Sequence, residues 1–447
     1  MTDTHPQRLA QNPVLPWELT DLIIDHLRHD IRALGVCGAV CSEWLIRSRY
    51  HMFSTVQLWP WRMQHFVSLA TDENCTFTNF ITRIEMDDAK IQGTQKIYGG
   101  QFRVETKPEG RGQQENVGEN SNIMFNDAMS HSGLKCLSQV NAIQIRNVDW
   151  TSLSPVQQAS LRSHFSKFSQ LRRLEFHDVI FHDVREVARI TRSLGASLHH
   201  LTANISFLKY LEHNLALTTS CTIASSELRS MEIGTDDGIP ILLNCLANSG
   251  GSHHNKIQEL KLRNVENKHL QYIKSALKNK KLQRLVVDFK HEKVSLISEE
   301  DLDFSSLHEL RALAISGLQL SSSSIHALIE RSLPKILGRI EAPFFTTLEI
   351  GFCINALFST EVVGCVDWTH LQRVLLNLHF FGLSTIRIIV EVAAESTTDQ
   401  ILYIERQLRA GFDQLIARKA LDLKVVTESS NVPEDGLVSD AGYIDKD

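Results

Sequence analysis

A chain of 447 residues with 43 % hydrophobic and 22 % charged side chains has the make-up of a folded globular protein, and it is longer than one hydrophobic core usually accommodates. It should divide into two or three domains, or into one small domain followed by an elongated array. The formal net charge is only −6, from 46 basic and 52 acidic residues, a field too weak to draw nucleic acid or anionic lipid. No run of roughly 18 apolar residues is available to cross a bilayer, and MTDTHPQRLAQNP at the start holds no apolar leader core. The expected location is cytoplasmic or nuclear, with no membrane and no nucleic acid among the partners.

Eight cysteines, Cys37, Cys41, Cys75, Cys136, Cys221, Cys245, Cys353 and Cys365, follow no regular spacing. They are expected to stay reduced and to act as small, mostly buried hydrophobes. Asn74-Cys75-Thr76 and Asn204-Ile205-Ser206 fit the glycosylation pattern, which has a meaning only in a secreted chain.

Residues 1–12 are expected to be disordered. Leu15-Pro16-Trp17-Glu18-Leu19 then opens a helix, because proline suits a first turn and Glu18 meets the positive end of the helix dipole. Leu19, Ile23 and Leu27, with Leu22 and Ile24 alongside, recur at helical spacing. Asp30 supplies an N-cap for a second helix carrying Ile31, Leu34, Val36, Cys37, Val40, Cys41, Trp44 and Leu45, with a break expected near Gly35 or Gly38. So much apolar surface exceeds what about 45 residues hide alone, so a partner should cover part of it. The same stripes would also serve as the interior of a small helical cap.

The run LPWELTDLIIDHLRHDIRALGVCGAVCSEWLIRSRYHMFSTVQL resembles an F-box over residues 13–58. That family's pattern is Leu-Pro-x-Glu, two apolar helical stripes, Val-Cys-x-x-Trp and a short exit containing Arg and Phe. Leu15, Pro16, Glu18, Ile23, Leu27, Leu34, Val40, Cys41, Trp44 and Phe53 stand in that order. Ser42 and Glu43 depart from it, standing where the family often has a basic residue, which touches a rim contact and not the core. The resemblance implies a three-helix module that docks on the Skp-type adaptor of a cullin ubiquitin ligase. The adaptor-binding residues it points to are Leu15, Pro16, Glu18, Ile23, Leu27, Leu34, Val40 and Trp44.

Past the module, residues 59–426 form one long region. Phe77 to Asp87 suggests a first strand with Ile81, Ile84 and Met86, and residues 92–122, rich in Gly, Gln, Asn and Glu, suggest a flexible insertion. From 140 onward one pattern returns: apolar, two residues, apolar, one residue, apolar. It stands at Val140/Ile143/Ile145, Leu171/Leu174/Phe176, Leu228/Met231/Ile233, Ile257/Leu260/Leu262, Leu282/Leu285/Val287, Leu310/Leu313/Ile315, Phe345/Leu348/Ile350 and Leu371/Val374/Leu376. With a weaker copy at Leu198/Leu201, the starts lie 25 to 35 residues apart.

Helical stretches such as 184–194, 269–277 and 325–337 lie between these copies, which points to an α/β array: parallel strands in one curved sheet, helices on its convex side. The pattern loosely resembles leucine-rich repeats, which implies an irregular solenoid. The family's asparagine ladder is missing, since Asn147 and Asn264 fall one position early, so the turns need other hydrogen-bond partners. A non-repetitive α/β domain would also fit the spacing. Residues 383–391 read as a late strand, 400–417 as a capping helix, and 427–447 as a disordered tail.

Motifs that carry chemistry are missing: no Gly-rich phosphate loop, Gly-x-Ser-x-Gly, HExxH or Cys-x-x-Cys occurs. Ser206-Phe207-Leu208-Lys209 fits Ser-x-x-Lys without its companion motifs. The cluster His177, Asp178, His182 and Asp183 contains metal-ligand types, but positions 177 and 182 would face opposite sides of a strand. Cys37 and Cys41 lack two further zinc ligands, and Lys278, Lys280 and Lys281 suit a helix end. No catalytic residue, metal or cofactor is expected. The expected function is substrate recognition in a ubiquitin ligase, with Arg172, Glu175, Arg229, Glu232, Glu259, Lys261, Arg284 and Glu349, interleaved with the apolar positions, forming part of the target surface. An interaction scaffold without ubiquitin transfer shares the same features, and a hydrolase has only the His-Asp cluster behind it.

Overall fold

The computed structural model describes residues 16–87, 137–194, 197–209, 211–218, 223, 227–248, 256–278, 281–290, 302–320, 327–354, 363–364, 366–377, 383–393, 396–418 and 421–427. The expected disordered start (1–12) and insertion (92–122) lie outside these, as does residue 428 onward. Thr427, which the sequence pattern assigned to the tail, is the last residue of a strand. The chain forms two compact units, one within Met1–Val148 and Ser152–Leu174, the other within Asp149–Thr151 and from Glu175 onward.

The first unit begins with three helices. Helix α1 (Trp17–His26) follows Pro16, whose carbonyl accepts the N–H groups of Leu19 at 3.0 Å and Thr20 at 3.1 Å. Helix α2 (Ile31–Gly38) is capped by the Asp30 carboxylate, which accepts from the backbone of Arg32 and Ala33 at 3.0 Å. The break expected near Gly35 or Gly38 falls after Gly38: Cys41 is extended and α3 (Ser42–Phe53) begins anew, so Trp44 and Leu45 lie on a third helix. Gly38 makes the reversal possible: a Cβ there would stand 3.3 Å from Leu45 Cδ1 and 3.6 Å from the Ser48 Cβ, so its absence lets α3 lie close against α2. Ile24, Leu34 and Cys37 form the buried centre, with Leu27, Trp44 and Met52 packed around it.

Strand β1 (Thr55–Leu58) and helix α4 (Pro60–Ala70) follow. The strand expected from Phe77 starts only at Arg83: Thr78–Phe80 is a 3-10 turn, Phe77 stacks on Phe53 with ring centroids 5.1 Å apart, and β2 is Arg83–Asp87. Strand β3 (Ala142–Arg146) joins β2, which joins β1, all parallel. Helix α5 (Pro155–Phe165) opens with a capping box between Ser154 and Gln157.

The second unit repeats strand and helix. Its strands are β4 (Arg173–Phe181), β5 (His200–Phe207), β6 (Ser230–Ile233), β7 (Glu259–Val265), β8 (Arg284–Phe289), β9 (Ala312–Leu320), β10 (Thr347–Ile354), β11 (Thr385–Val392) and β12 (Leu421–Thr427). Between them lie α6 (Val184–Ser193), α7 (Leu211–Thr218), α8 (Gly238–Asn248), α9 (Leu270–Leu277), a π turn Ala327–Ser332 running into α10 (Leu333–Gly338), α11 (Trp368–Asn377), α12 (Thr398–Gly411) and α13 (Asp413–Ala417). Within the second unit hydrogen bonding follows chain order from β4 to β12. One apolar row runs Leu201, Met231, Leu260, Leu285, Leu313, Leu348, Ile386 and Leu421, each residue in register with the next. A second row, two residues further on, runs Ala203, Ile233, Leu262, Val287, Ile315, Ile350, Ile388 and Leu423. These are the repeated apolar positions, and the weak copy at Leu198/Leu201 is a full strand.

The copy at Leu371/Val374/Leu376 is not a strand. It lies in α11, where Leu371 and Leu375 are buried; two apolar residues three apart fit one helix face as readily as one strand motif. The strand of that repeat is β11, in the region where a late strand was expected.

Asn147 and Asn264 turn out to be backbone devices. With Asp178 they are the non-glycine residues of positive φ among the described residues (54°, 56° and 55°), and Gly317 at 72° stands in the same place of its own repeat, two positions after the last apolar residue of the motif. In β7 an extra residue enters between Leu262 and Val265 relative to β8, and in β9 between Ile315 and Leu318 relative to β10. Such bulges need a left-handed residue, which Asn, Asp and Gly supply at least strain. The side chains then tie neighbouring strands, Asn264 Nδ2 donating to the Gly234 carbonyl at 2.9 Å and Asn147 Nδ2 to Asp87 Oδ1 at 2.9 Å.

At Gly317 an added Cβ would sit 1.9 Å from the Phe289 carbonyl oxygen. Gly317→Ala should therefore destabilise the protein by about 2 kcal/mol or more in a denaturant titration. Gly338→Ala, whose Cβ would meet nothing within 4 Å, should be neutral or slightly stabilising.

Candidate protein-interaction surfaces

Helices α1 to α3 bury little of what they carry. Trp17 (70 % exposed), Leu19, Leu22, Ile23, Ile31, Val36 (70 %), Val40, Ile46 and Tyr50 all face solvent. The cause is the small size of the module: with one face of each helix committed to the Ile24–Leu34–Cys37 centre, the remaining apolar residues have nothing to pack against. An exposed apolar surface of this kind suits a protein interface.

The adaptor-binding residues suggested by the sequence divide on this surface. Pro16, Glu18, Ile23 and Val40 are exposed, while Leu27 and Trp44 are half-buried and lean on the core. Leu15 lies outside the described residues. Leu34 is corrected: it is fully buried in the module's own centre, so it supports the surface and cannot touch a partner. Trp17, Ile31, Val36, Ile46 and Tyr50 were not singled out as contacts. The spacing of Val36 from Leu34, and of Ile46 and Tyr50 from Ser48, puts these three opposite the buried face and is a readable signal. Trp17 and Ile31 instead share the face of Ile24 and Leu34 and are exposed at the first residue of their helices.

A polar clamp holds α1 to α3. Asp25 accepts from Arg47 Nε and Nη2, both at 2.7 Å, and its Oδ1 lies 2.7 Å from His51 Nε2. The bonds from Arg47 and then His51 hold the Asp25 carboxyl down at about 2. The Arg47 guanidinium also lies 5.5 Å over the Tyr50 ring.

The second surface is the sheet face that alternates with the apolar rows. The structure gathers four of the expected target residues on three adjacent strands: Glu232 on β6, Glu259 and Lys261 on β7, and Arg284 on β8. Glu259 lies 3.6 Å from Lys261 and 3.3 Å from Arg284 and accepts from Ser230 Oγ at 3.1 Å, while Glu232 lies 2.7 Å from Arg263. Glu349 stands apart on β10, where Arg387 reaches it and Asp422, both at 3.0 Å. Glu175 lies on β4, 3.7 Å from His177. Arg172 and Arg229 are exposed in the turns before β4 and β6, where their N–H groups bind the Asn141 and His199 carbonyls at 2.8 Å. The acids of this face are thus matched by bases of the same chain, and for Glu232–Arg263, Glu259–Arg284 and Glu349–Arg387 sequence separation hid the pairing.

The described residues contain no group of three or more His, Cys, Asp or Glu arranged to hold a metal. Asp183 caps α6 by accepting from the Arg185 backbone at 2.9 Å, and exposed His182 lends its carbonyl to Lys209. Cys37 is buried and Cys41 exposed. No helix among the described residues is long and apolar enough to cross a membrane.

No family model and no curated protein matches the chain. Among solved structures, a crystal structure of the Rad7 and Elc1 complex in yeast aligns over 91 % of this chain and 92 % of its own, at 12 % identity and a TM-score of 0.35. A Leptospira interrogans LRR protein aligns over 66 % of this chain and 74 % of its own, at 13 % identity and a TM-score of 0.26. At such scores the description of the fold rests on this chain's own strands and registers.

Removing the Asp25 charge should loosen α1 from α3. The carboxyl is depressed in the folded state, so its stabilisation is present above about 3.8 and is lost as pH falls toward about 2. In thermal melts of the whole protein, Asp25→Asn should lower stability at pH 7 by about 1 kcal/mol, the ceiling for a solvent-screened pair. That difference should shrink steadily below pH 4.

Proposed function

We propose that this chain is an F-box-type substrate receptor of a ubiquitin ligase of the Skp, cullin and F-box class. In this reading α1 to α3 hold a Skp-type adaptor, and through it a cullin, while the charged face of the repeats receives a target protein. The observation that carries it is the exposed apolar surface of α1 to α3, borne by residues that follow the F-box pattern from Pro16 to Phe53. The chain supplies no catalytic group. It acts by holding two partners close together, which raises the local concentration of target lysines at a transferring subunit.

The adaptor contact is assigned to Pro16, Glu18, Ile23 and Val40, with Trp17, Leu22 and Val36 added from their exposure. Aspartate on an exposed apolar residue leaves the module's core intact yet places a charge in a desolvated interface. Ile23→Asp and Val40→Asp should each cut recovery of a coexpressed Skp-type adaptor with the full-length protein at least ~10-fold, about 1.4 kcal/mol, with an unchanged melting temperature. Val156→Asp, on the 76 % exposed residue of α5, should recover adaptor like the wild type. Absence of adaptor from the wild-type preparation, or undiminished recovery by both α1–α3 variants, would rule the proposal out.

A further inference from the structure

Among the described residues, the sheet of the second unit ends at β12. On β11 the core-facing Ile386, Ile388, Val390 and Val392 are at most 2 % exposed. The register partners of the first three, Leu421, Leu423 and Val425, continue the same apolar rows but are only half-buried, and Val392 pairs with Thr427. The helix side is already closed. Ile404, Leu408, Phe412 and Leu415 of the α12–α13 segment are buried, and Gln372 fixes that cover by accepting from the Gln414 and Leu415 N–H groups at 2.9 and 3.2 Å and donating to Asp413 at 3.0 Å. Gly411 sits against Trp368, where a Cβ would stand 2.2 Å from the Trp368 Cβ. Among the described residues, the lateral side of the rows is what remains open.

An open edge is ordinarily blunted by proline, a bulge, a very short strand or a charged side chain, lysine above all. Strand β12, LDLKVVT, runs seven residues with no proline or glycine and in unbroken register with β11. Its charged side chains are Asp422, which Arg387 holds at 3.0 Å, and Lys424, which is exposed.

Those two charges also select a partner strand. Two identical strands related by a two-fold axis pair antiparallel, and opposed residues share a face. Centred on Lys424, the pairing would oppose two lysines. Centred on Leu423, it opposes Asp422 with Lys424 of the other copy, twice, on the charged face, and Leu421 with Val425, twice, on the apolar face, and Leu423 meets its own counterpart. Charge and apolar matching then agree at once. We propose that the outer edge of β12 binds β12 of a second copy of this chain in this register, making a two-fold dimer. Asp422 then lies between Arg387 of its own copy and the second copy's lysine, and the half-buried rows gain the neighbour they lack.

Light scattering on the purified full-length protein at about 10 μM should give the mass of two chains, at a concentration where mass action favours pairing. Lys424→Glu sets acid against acid and should weaken association at least ~10-fold. Leu423→Cys places two thiols directly opposite, about 5 Å apart at Cβ, and should give a disulfide-linked dimer under mild oxidation. A wild type that stays monomeric at about 100 μM overturns the proposal, as does a monomer that dimerises only when residues 428–447 are removed, which would mean the chain covers its own edge. A dimer indifferent to Lys424→Glu and without the Leu423→Cys link overturns it too, since another face would then be responsible. None of these readouts involves the adaptor.

Discussion

Lateral register is the constraint on which the repeats depend. A leucine or isoleucine on one strand is removed from water only when the strands on either side present an apolar residue at the same height. The rows from Leu201 to Leu421 and from Ala203 to Leu423 satisfy this at every step. Parallel direction, the spacing between motif copies and the helical return segments all follow from it, because a strand can rejoin the row at the same height only after a crossover. The bulges at Asn264 and Gly317 add a residue beyond the matched stretch and leave the rows undisturbed.

The helical module obeys the opposite logic. Its centre of Ile24, Leu34 and Cys37 is small, and Asp25, Arg47 and His51 add a polar clamp to that apolar packing. A segment built this way holds its shape while keeping most of its apolar residues outside. That division suits a surface meant to be covered by another polypeptide.

The rows were legible in the sequence because a period-two strand motif recurring at near-constant distance is what stacked parallel strands require and what few other folds produce. Where the same local spacing has two physical meanings, the sequence misled: Leu371, Val374 and Leu376 lie on a helix. The break near Gly38 was legible from the glycine itself, while the close approach of α3 to α2 that it permits was not. Asn147 and Asn264 were visible as misplaced ladder residues, but the left-handed backbone of Asn264 accompanies a register shift that no single strand encodes. Candidate contacts fared unevenly for a related reason. A family pattern marks Leu34 and Ile23 alike, although one builds the module and the other lies on its outside. The pairs Glu232–Arg263, Arg284–Glu259 and Arg387–Glu349 join residues from different repeats, which only the folded array brings together.

That pairing shapes how the sheet face would behave toward a visitor. Because Glu232, Glu259, Glu349 and Asp422 already face nearby guanidinium and ammonium groups, that part of the face projects little net potential into solution, and an approaching protein would be neither drawn in nor repelled over distance. Encounter would run at the unsteered rate, nearly indifferent to ionic strength. Selectivity would then rest on contour and on whether the visitor can replace a ready-made ion pair with an equally good one, so a wrong partner would be rejected after touching the surface and not before.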